Sequence, residues 1–338
     1  IGIVAGQIVA AGQIMSVLGI GSTTLWMIIF TVVFVAYTVL GGQHAIIRTD
    51  TIQSVILFAG IFGSLALVLS QVGGFSGLRN SLPAEQFSFP LSSAFNGYEF
   101  ISLLLLVGLT YVVGPDMYSR IFCAKDSTVA KKSVLWTALL IIPFSFGIAI
   151  IGMGAAALFP EIAAERAFPT VITELLPPFL GGIVLAALLC AVMSSADTCL
   201  LSASAILTMD VLKPLKPSVD KAKILFISRW GIVVVGVLAL ILALILKGVI
   251  SALLFAYTIY TTGIILPVII GFYKDKLKIT SLGALVAVIG SGSIALISKI
   301  MHIKYLDLGS LLICVVLLFI VSLIDNKIRG NKNARLVS

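Results

Sequence analysis

Ten long apolar runs, broken by few charges, follow one another along the 338 residues of this chain. They predict helices at 1–18, 23–40, 46–72, 98–121, 132–158, 178–208, 223–247, 250–272, 279–299 and 307–325. The runs are too long, and too poor in polar/apolar alternation, for the strands of a membrane barrel. A helix of about 20 apolar residues crosses a bilayer core, so the pattern predicts a wholly helical, ten-span integral membrane protein. Breakers punctuate the boundaries: Gly41-Gly42, Gly73-Gly74, Pro160, Pro177-Pro178, Pro214 and Pro217. The expected division is a membrane domain over 1–325 and a short cytoplasmic tail over 326–338.

Composition agrees. Hydrophobic residues make up 60% of the chain and charged residues 11%, against roughly 45–50% and 25% in soluble domains. This excludes an ordinary soluble domain, a disordered chain and a disulfide-rich secreted module. The net charge of +8 does not indicate a nucleic-acid partner, because the basic residues follow membrane sidedness. Alternate loops hold Arg48, then Arg120, Lys125, Lys131 and Lys132, then Lys213, Lys216, Lys221 and Lys223. The same side holds Lys274, Lys276 and Lys278, and then Lys327, Arg329, Lys332 and Arg335. These sixteen face five on the other side: Arg79, Arg166, Lys247, Lys299 and Lys304. The bias predicts a multi-pass protein of the cell membrane with both ends of the chain in the cytoplasm.

Charges at bilayer depth are costly and mark functional paths by default. Asp197 is the sharpest, well inside the run 178–208. Ser194, Asp197 and Thr198 are spaced i, i+3, i+4 and share one helix face, with Ala191 and Ser195 on an adjoining strip. A carboxylate among hydroxyls suits a hard monovalent cation that takes oxygen ligands. The alternative is that the hydroxyls bond back to carbonyls one turn earlier. Asp50, in G-G-Q-H-A-I-I-R-T-D-T-I-Q, reads by position alone as an interfacial carboxylate near a helix amino end. In L-V-G-L-T-Y-V-V-G-P-D-M-Y-S-R (106–120), Gly114-Pro115 interrupts an apolar helix. Transporters build sites at such breaks, although a simple proline kink fits as well. A-Y-T-I-Y-T-T-G (256–263) is a polar, aromatic patch that suits either cavity lining or helix packing. Gln7 and Gln13 are lone amides on the first run, and both histidines, His44 and His302, sit in or beside loops. No phosphate loop, metalloprotease helix or nucleophile–base–orienter set is readable, so the chain is not expected to be an enzyme. The cysteines, Cys123, Cys190, Cys199 and Cys314, form no disulfide framework or zinc motif.

Together the motifs resemble the sodium:solute symporter family. G-G-Q-H-A-I-I-R-T-D-T-I-Q is similar to its G-G-x-x-A-x-x-x-T-D-x-x-Q signature, and A-A-L-L-C-A-V-M-S-S-A-D-T-C-L-L-S-A-S-A to its sodium-site helix. V-G-P-D-M-Y-S-R resembles the end of its broken sixth core helix, and Y-T-T-G-I-I-L-P follows in the expected order. The resemblance implies a five-plus-five inverted-repeat fold, like that of a bacterial leucine transporter. The ten runs would be core helices 3 to 10 and two more, with core helices 1 and 2 and a preceding helix upstream of Ile1. It implies a sodium ion held by the Ala191 carbonyl, Ser194 and Ser195, and a possible second at Asp50, Ser194, Asp197 and Thr198. The acid at 197 departs from the commoner small or hydroxyl residue. The partner would be a small organic solute (amino acid, vitamin, sugar or carboxylate) near Tyr111, Tyr257 and Thr261, with Gln7 a further candidate. The implied function is sodium-coupled symport by alternating access, which this chain would not perform without the missing helices. A transporter-derived sensor module and a truncated remnant are the alternatives.

Overall fold

Each apolar run becomes helix in the computed structural model, and every regular element among the described residues is helical. The structure describes residues 1–41, 43–88, 90–92, 95–217, 219–301, 303 and 305–337; for 41, 43–49, 221 and 330–337 it describes the backbone alone. Gly42, His302 and Lys304 therefore lie outside the described residues, as do the side chains of His44, Arg48, Lys221, Lys332 and Arg335. In chain order the helices are α1 (Gly2–Ser16), α2 (Thr23–Gly41), α3 (Gln43–Val72), α4 (Gly74–Ser81), α5 (Gly97–Val113), α6 (Pro115–Ile121), α7 (Ser127–Leu158) and α8 (Ala167–Leu175). They continue with α9 (Pro178–Ala205), α10 (Lys213–Leu215), α11 (Lys221–Leu246), α12 (Val249–Tyr260), α13 (Leu266–Gly271), α14 (Lys274–Leu277), α15 (Ser281–Met301) and α16 (Leu306–Val337). Two π-helical segments, Ile206–Leu212 and Thr261–Ile265, interrupt what read as uniform helices.

Among the described residues, eight helices are long and apolar enough to cross a membrane. A ninth candidate is the pair α5 and α6, bent by 44° at Gly114. The first run forms only 15 helical residues, about 22 Å of rise. The run expected at 132 starts five residues earlier because Asp126 caps it, accepting from the Val129 amide at 2.8 Å. The last helix continues past residue 325 to Val337.

The chain forms two compact units, 1–89 with 119–253, and 90–118 with 254–338. In the first, α1 packs on α2, α9 and α11, and the core gathers Val4, Ile8, Phe34, Leu200 and Ile232. A second cluster lies where α3 meets α7 and α8, around Ile61, Val68, Ile151 and Val171. Glycine permits these close approaches. A Cβ on Gly60 would lie 2.7 Å from Val184, and one on Gly154 would lie 2.0 Å from Val68.

In the second unit, α15 and α16 pack as a hairpin over Ala287, Cys314 and Leu318. Its outer turn is held by Asp307, which accepts from Ser298 at 2.8 Å and Lys299 at 2.7 Å. Asn96 and Glu99 form a reciprocal cap on α5. Where α5 ends, Pro115 supplies no amide hydrogen. The carbonyl of Val112 accepts from the Tyr118 hydroxyl at 2.9 Å, and that of Val113 from the Tyr260 hydroxyl at 3.1 Å. Side chains thus satisfy main-chain groups that the broken helix leaves open.

Candidate functional site

Asp197 sits two thirds of the way along α9 with no solvent exposure. A buried carboxylate demands partners. It receives one from α2, where Thr38, also buried, places its hydroxyl 2.6 Å from Asp197 Oδ1. The same hydroxyl lies 2.7 Å from the Phe34 carbonyl, so its one proton serves one acceptor at a time. The other oxygen, Asp197 Oδ2, is buried without a hydrogen-bond partner.

That oxygen is not isolated. Tyr37, Asp50, Gln53, Cys190, Met193, Ser194 and Asp197 line one cleft in the first unit. The space between them is too narrow for a water molecule. Asp50 Oδ1 and Gln53 Oε1 are also buried without hydrogen-bond partners. Three of the residues that line the cleft thus each carry an oxygen with unused lone pairs, and two of these residues are carboxylates. Buried oxygens of this kind are expensive to leave bare, and a small cation coordinated by all three would relieve the cost.

Asp50 is half-buried rather than solvated, since its side chain is 24% exposed. Its Oδ2 lies 3.9 Å from Arg120 Nη2, which also donates to Thr198 Oγ1 at 3.1 Å. Among the described residues, one guanidinium stands beside the two carboxylates.

The hydroxyls of α9 do bond back along the helix. Ser194 donates to the Ala191 carbonyl at 3.2 Å, and Thr198 to the Ser194 carbonyl at 2.8 Å. The Ser194 hydroxyl is also within hydrogen-bonding reach of the Asp50 carboxylate, and its oxygen keeps lone-pair capacity for an ion. Ser195 is half-buried on the adjoining strip, as is Ala191. The first unit thus brings Asp50, Ser194 and Asp197 to one cleft, and Arg120 links Thr198 to Asp50. It adds Thr38, Gln53 and Arg120, which sequence reasoning did not assign to the site. Gln53 stands three residues after Asp50 in the quoted motif, and Arg120 ends the quoted broken-helix segment. Thr38 carries no signal in an apolar run.

Gln7 is half-buried on α1 in the first unit, whereas Tyr111, Tyr257 and Thr261 belong to the second. Tyr111 is exposed and Tyr257 half-buried. Thr261 is fully buried in a π-helical segment, a feature common at functional sites, and its hydroxyl is committed to α5. It lies 2.6 Å from the Leu106 carbonyl and 2.8 Å from Thr110 Oγ1. That hydroxyl closes a helix contact.

Residues 1–291 match the sodium:solute symporter family. The sodium/pantothenate symporter of Haemophilus influenzae is 27% identical over 319 residues, which cover 91% of this chain and 65% of that protein. The sodium/glucose cotransporter of Vibrio parahaemolyticus is 30% identical over 304 residues, 79% of this chain and 55% of that protein. The chain thus spans 65% and 55% of the length of these two relatives. A solved Na⁺-coupled sialic acid symporter, in a substrate-bound outward-open state, matches with a TM-score of 0.75 at 19% identity. The alignment takes in 96% of this chain and 72% of that one; at that identity the likeness is one of fold.

Proposed function

This chain belongs to the sodium:solute symporter family, and from that premise we propose that it is the greater part of a carrier coupling sodium entry to uptake of a small organic solute. It is a multi-pass membrane protein of a transporter family, not an enzyme. The observation that carries the sodium assignment is that Asp50, Gln53 and Asp197, each with an unpartnered buried oxygen, line one cleft with Ser194. Sodium binds hard oxygen donors, and the cleft offers carboxylate, amide and hydroxyl oxygen. Asp50, Ser194, Asp197 and Thr198 form one sodium site. The Ala191 carbonyl, Ser194 and Ser195 contribute ligands to another.

The relatives' names, sodium symporters of pantothenate, glucose and myo-inositol, support a small polar organic solute as cargo. Tyr111, Tyr257, Thr261 and Gln7 are the candidate contacts for it. The sixteen-to-five distribution of basic residues supports an orientation with both ends of this chain in the cytoplasm. Coupling follows from linkage: sodium favours whichever conformation holds it more tightly, and solute binding benefits if it prefers the same one.

Uptake by the complete carrier in proteoliposomes tests the assignment. Losing one neutral ligand costs on the order of 1–3 kcal/mol, or roughly 5- to 150-fold in sodium affinity. Ser194→Ala and Ser195→Ala should each raise the sodium concentration for half-maximal uptake within that range. Unchanged sodium dependence in both would remove the assignment.

A further inference from the structure

We infer that Arg120 is a tethered cation that competes with the entering sodium ion for Asp50 and Thr198. The inference rests on the reading of the cleft as a sodium site. Its own evidence is the overlap of partners. Arg120 Nη2 donates to Thr198 Oγ1 at 3.1 Å and lies 3.9 Å from Asp50 Oδ2. Both residues belong to the proposed ion site.

The arrangement has an inside and an outside. Asp50 offers Oδ2 to Arg120, while its Oδ1 is buried and unpartnered. Arg120 is 38% exposed, Asp50 24%, and Asp197 not at all. Burial therefore deepens from the guanidinium through Asp50 to Asp197. Thr198 spends its proton on the Ser194 carbonyl and accepts from Arg120, so this hydroxyl oxygen serves the arginine where it would serve an ion. At 3.9 Å the carboxylate contact lies beyond hydrogen-bond distance and is far from the short paired geometry of a strong arginine–carboxylate bridge. An ion that coordinates Asp50 meets a cation already neutralising it, and one of the two must give way.

This assigns Arg120 a positioning role. It neutralises the mouth of the cleft when no ion is present, and so keeps two carboxylates compatible in one buried place. The same contact lowers the affinity for sodium. Arg120 belongs to the seven-residue helix α6 that follows the Gly114–Pro115 break, so its release also frees the end of that short helix.

The test uses the purified 338-residue chain in nanodiscs. Cys190 lines the cleft and is half-buried, so it reports occupancy locally. Its modification by N-ethylmaleimide is followed by peptide mass spectrometry, which separates it from the other three cysteines. Sodium chloride is titrated against N-methylglucamine chloride at constant ionic strength. Wild-type chain should show sodium protection of Cys190, and Asp50→Asn should abolish it. Arg120→Gln should lower the protecting sodium concentration about two- to fivefold, the range for a partly exposed ion pair. Arg120→Lys keeps a charge without the fork and should fall between the two. If sodium protects wild-type chain but Arg120→Gln and Arg120→Lys leave the midpoint unchanged or raise it, the competition is refuted and the sodium site stands. If sodium protects none of these proteins, the site itself is refuted and the competition falls with it.

Discussion

Thr38→Val is the most discriminating change in this protein, because the same helix supplies its control. Valine keeps the shape of threonine and removes only the hydroxyl. Thr38 is 2% exposed and donates to Asp197 Oδ1 at 2.6 Å, while Asp197 Oδ2 has no hydrogen-bond partner. The substitution therefore leaves a fully buried carboxylate with neither oxygen paired among the described residues. An interhelical hydrogen bond within a membrane averages about 0.6 kcal/mol. Stranding a buried acceptor costs about 1–3 kcal/mol, and more when it is charged. The buried acceptor decides for the larger of these figures, so a loss of about 1–3 kcal/mol is expected. Thr31, two turns earlier and 5% exposed, has its hydroxyl 2.7 Å from the Met27 carbonyl of its own helix. That carbonyl keeps its main-chain partner, so Thr31→Val should cost less than about 0.5 kcal/mol. Heating detergent-solubilised chain and measuring the remaining monodisperse fraction compares the two directly. At about 2–4 °C per kcal/mol for large domains, Thr38→Val should melt several degrees below Thr31→Val without sodium. Saturating sodium should narrow the gap by engaging Asp197 Oδ2. Equal melting of the two variants would show that Thr38 does not hold Asp197.

Two further outcomes are expected. Gly154→Ala places a methyl where Val68 Cγ1 leaves 2.0 Å, an overpacking that costs about 1–3 kcal/mol. Val68→Ala in the same chain should recover most of that loss in the same melting assay, and failure to do so would refute the α3–α7 contact. Membrane-impermeant thiol labelling of intact cells should reach Arg79→Cys and spare Lys213→Cys; the reverse pattern would overturn the proposed orientation.

The residue pattern made the helices legible because each run is continuously apolar over about 20 residues. It missed what depends on neighbours. The start of α7 was obscured because Asp126 lies in a polar stretch with Lys125 and Ser127, and its capping bond to the Val129 amide leaves no mark on hydropathy. The π-helical segments at 206–212 and 261–265 contain ordinary apolar and hydroxyl residues, and one added residue per turn does not alter composition. Asp197 stood out because a carboxylate within an apolar run is rare. Thr38 did not, because threonine is common there and its partner is 159 positions away. Arg120 was readable only as a topological charge until Asp50 and Thr198 were placed beside it. Thr261 reads from the sequence as a solute contact; that its hydroxyl bonds to Leu106 and Thr110 is set by helix rotation, which residue type does not reveal.

The tyrosine hydroxyls at the end of α5 bear on how readily the chain changes its course there. Where an intact helix kinks, ladder bonds must break. Here the carbonyls of Val112 and Val113 are served by Tyr118 and Tyr260, so altering the 44° bend exchanges two side-chain contacts and spares the ladder. Each is worth about 0.5–1.5 kcal/mol net. A differently angled form then lies only about 1–3 kcal/mol above the resting one and holds on the order of 1–10% of molecules. At this place the backbone is soft by construction, with two phenols as its detachable clips.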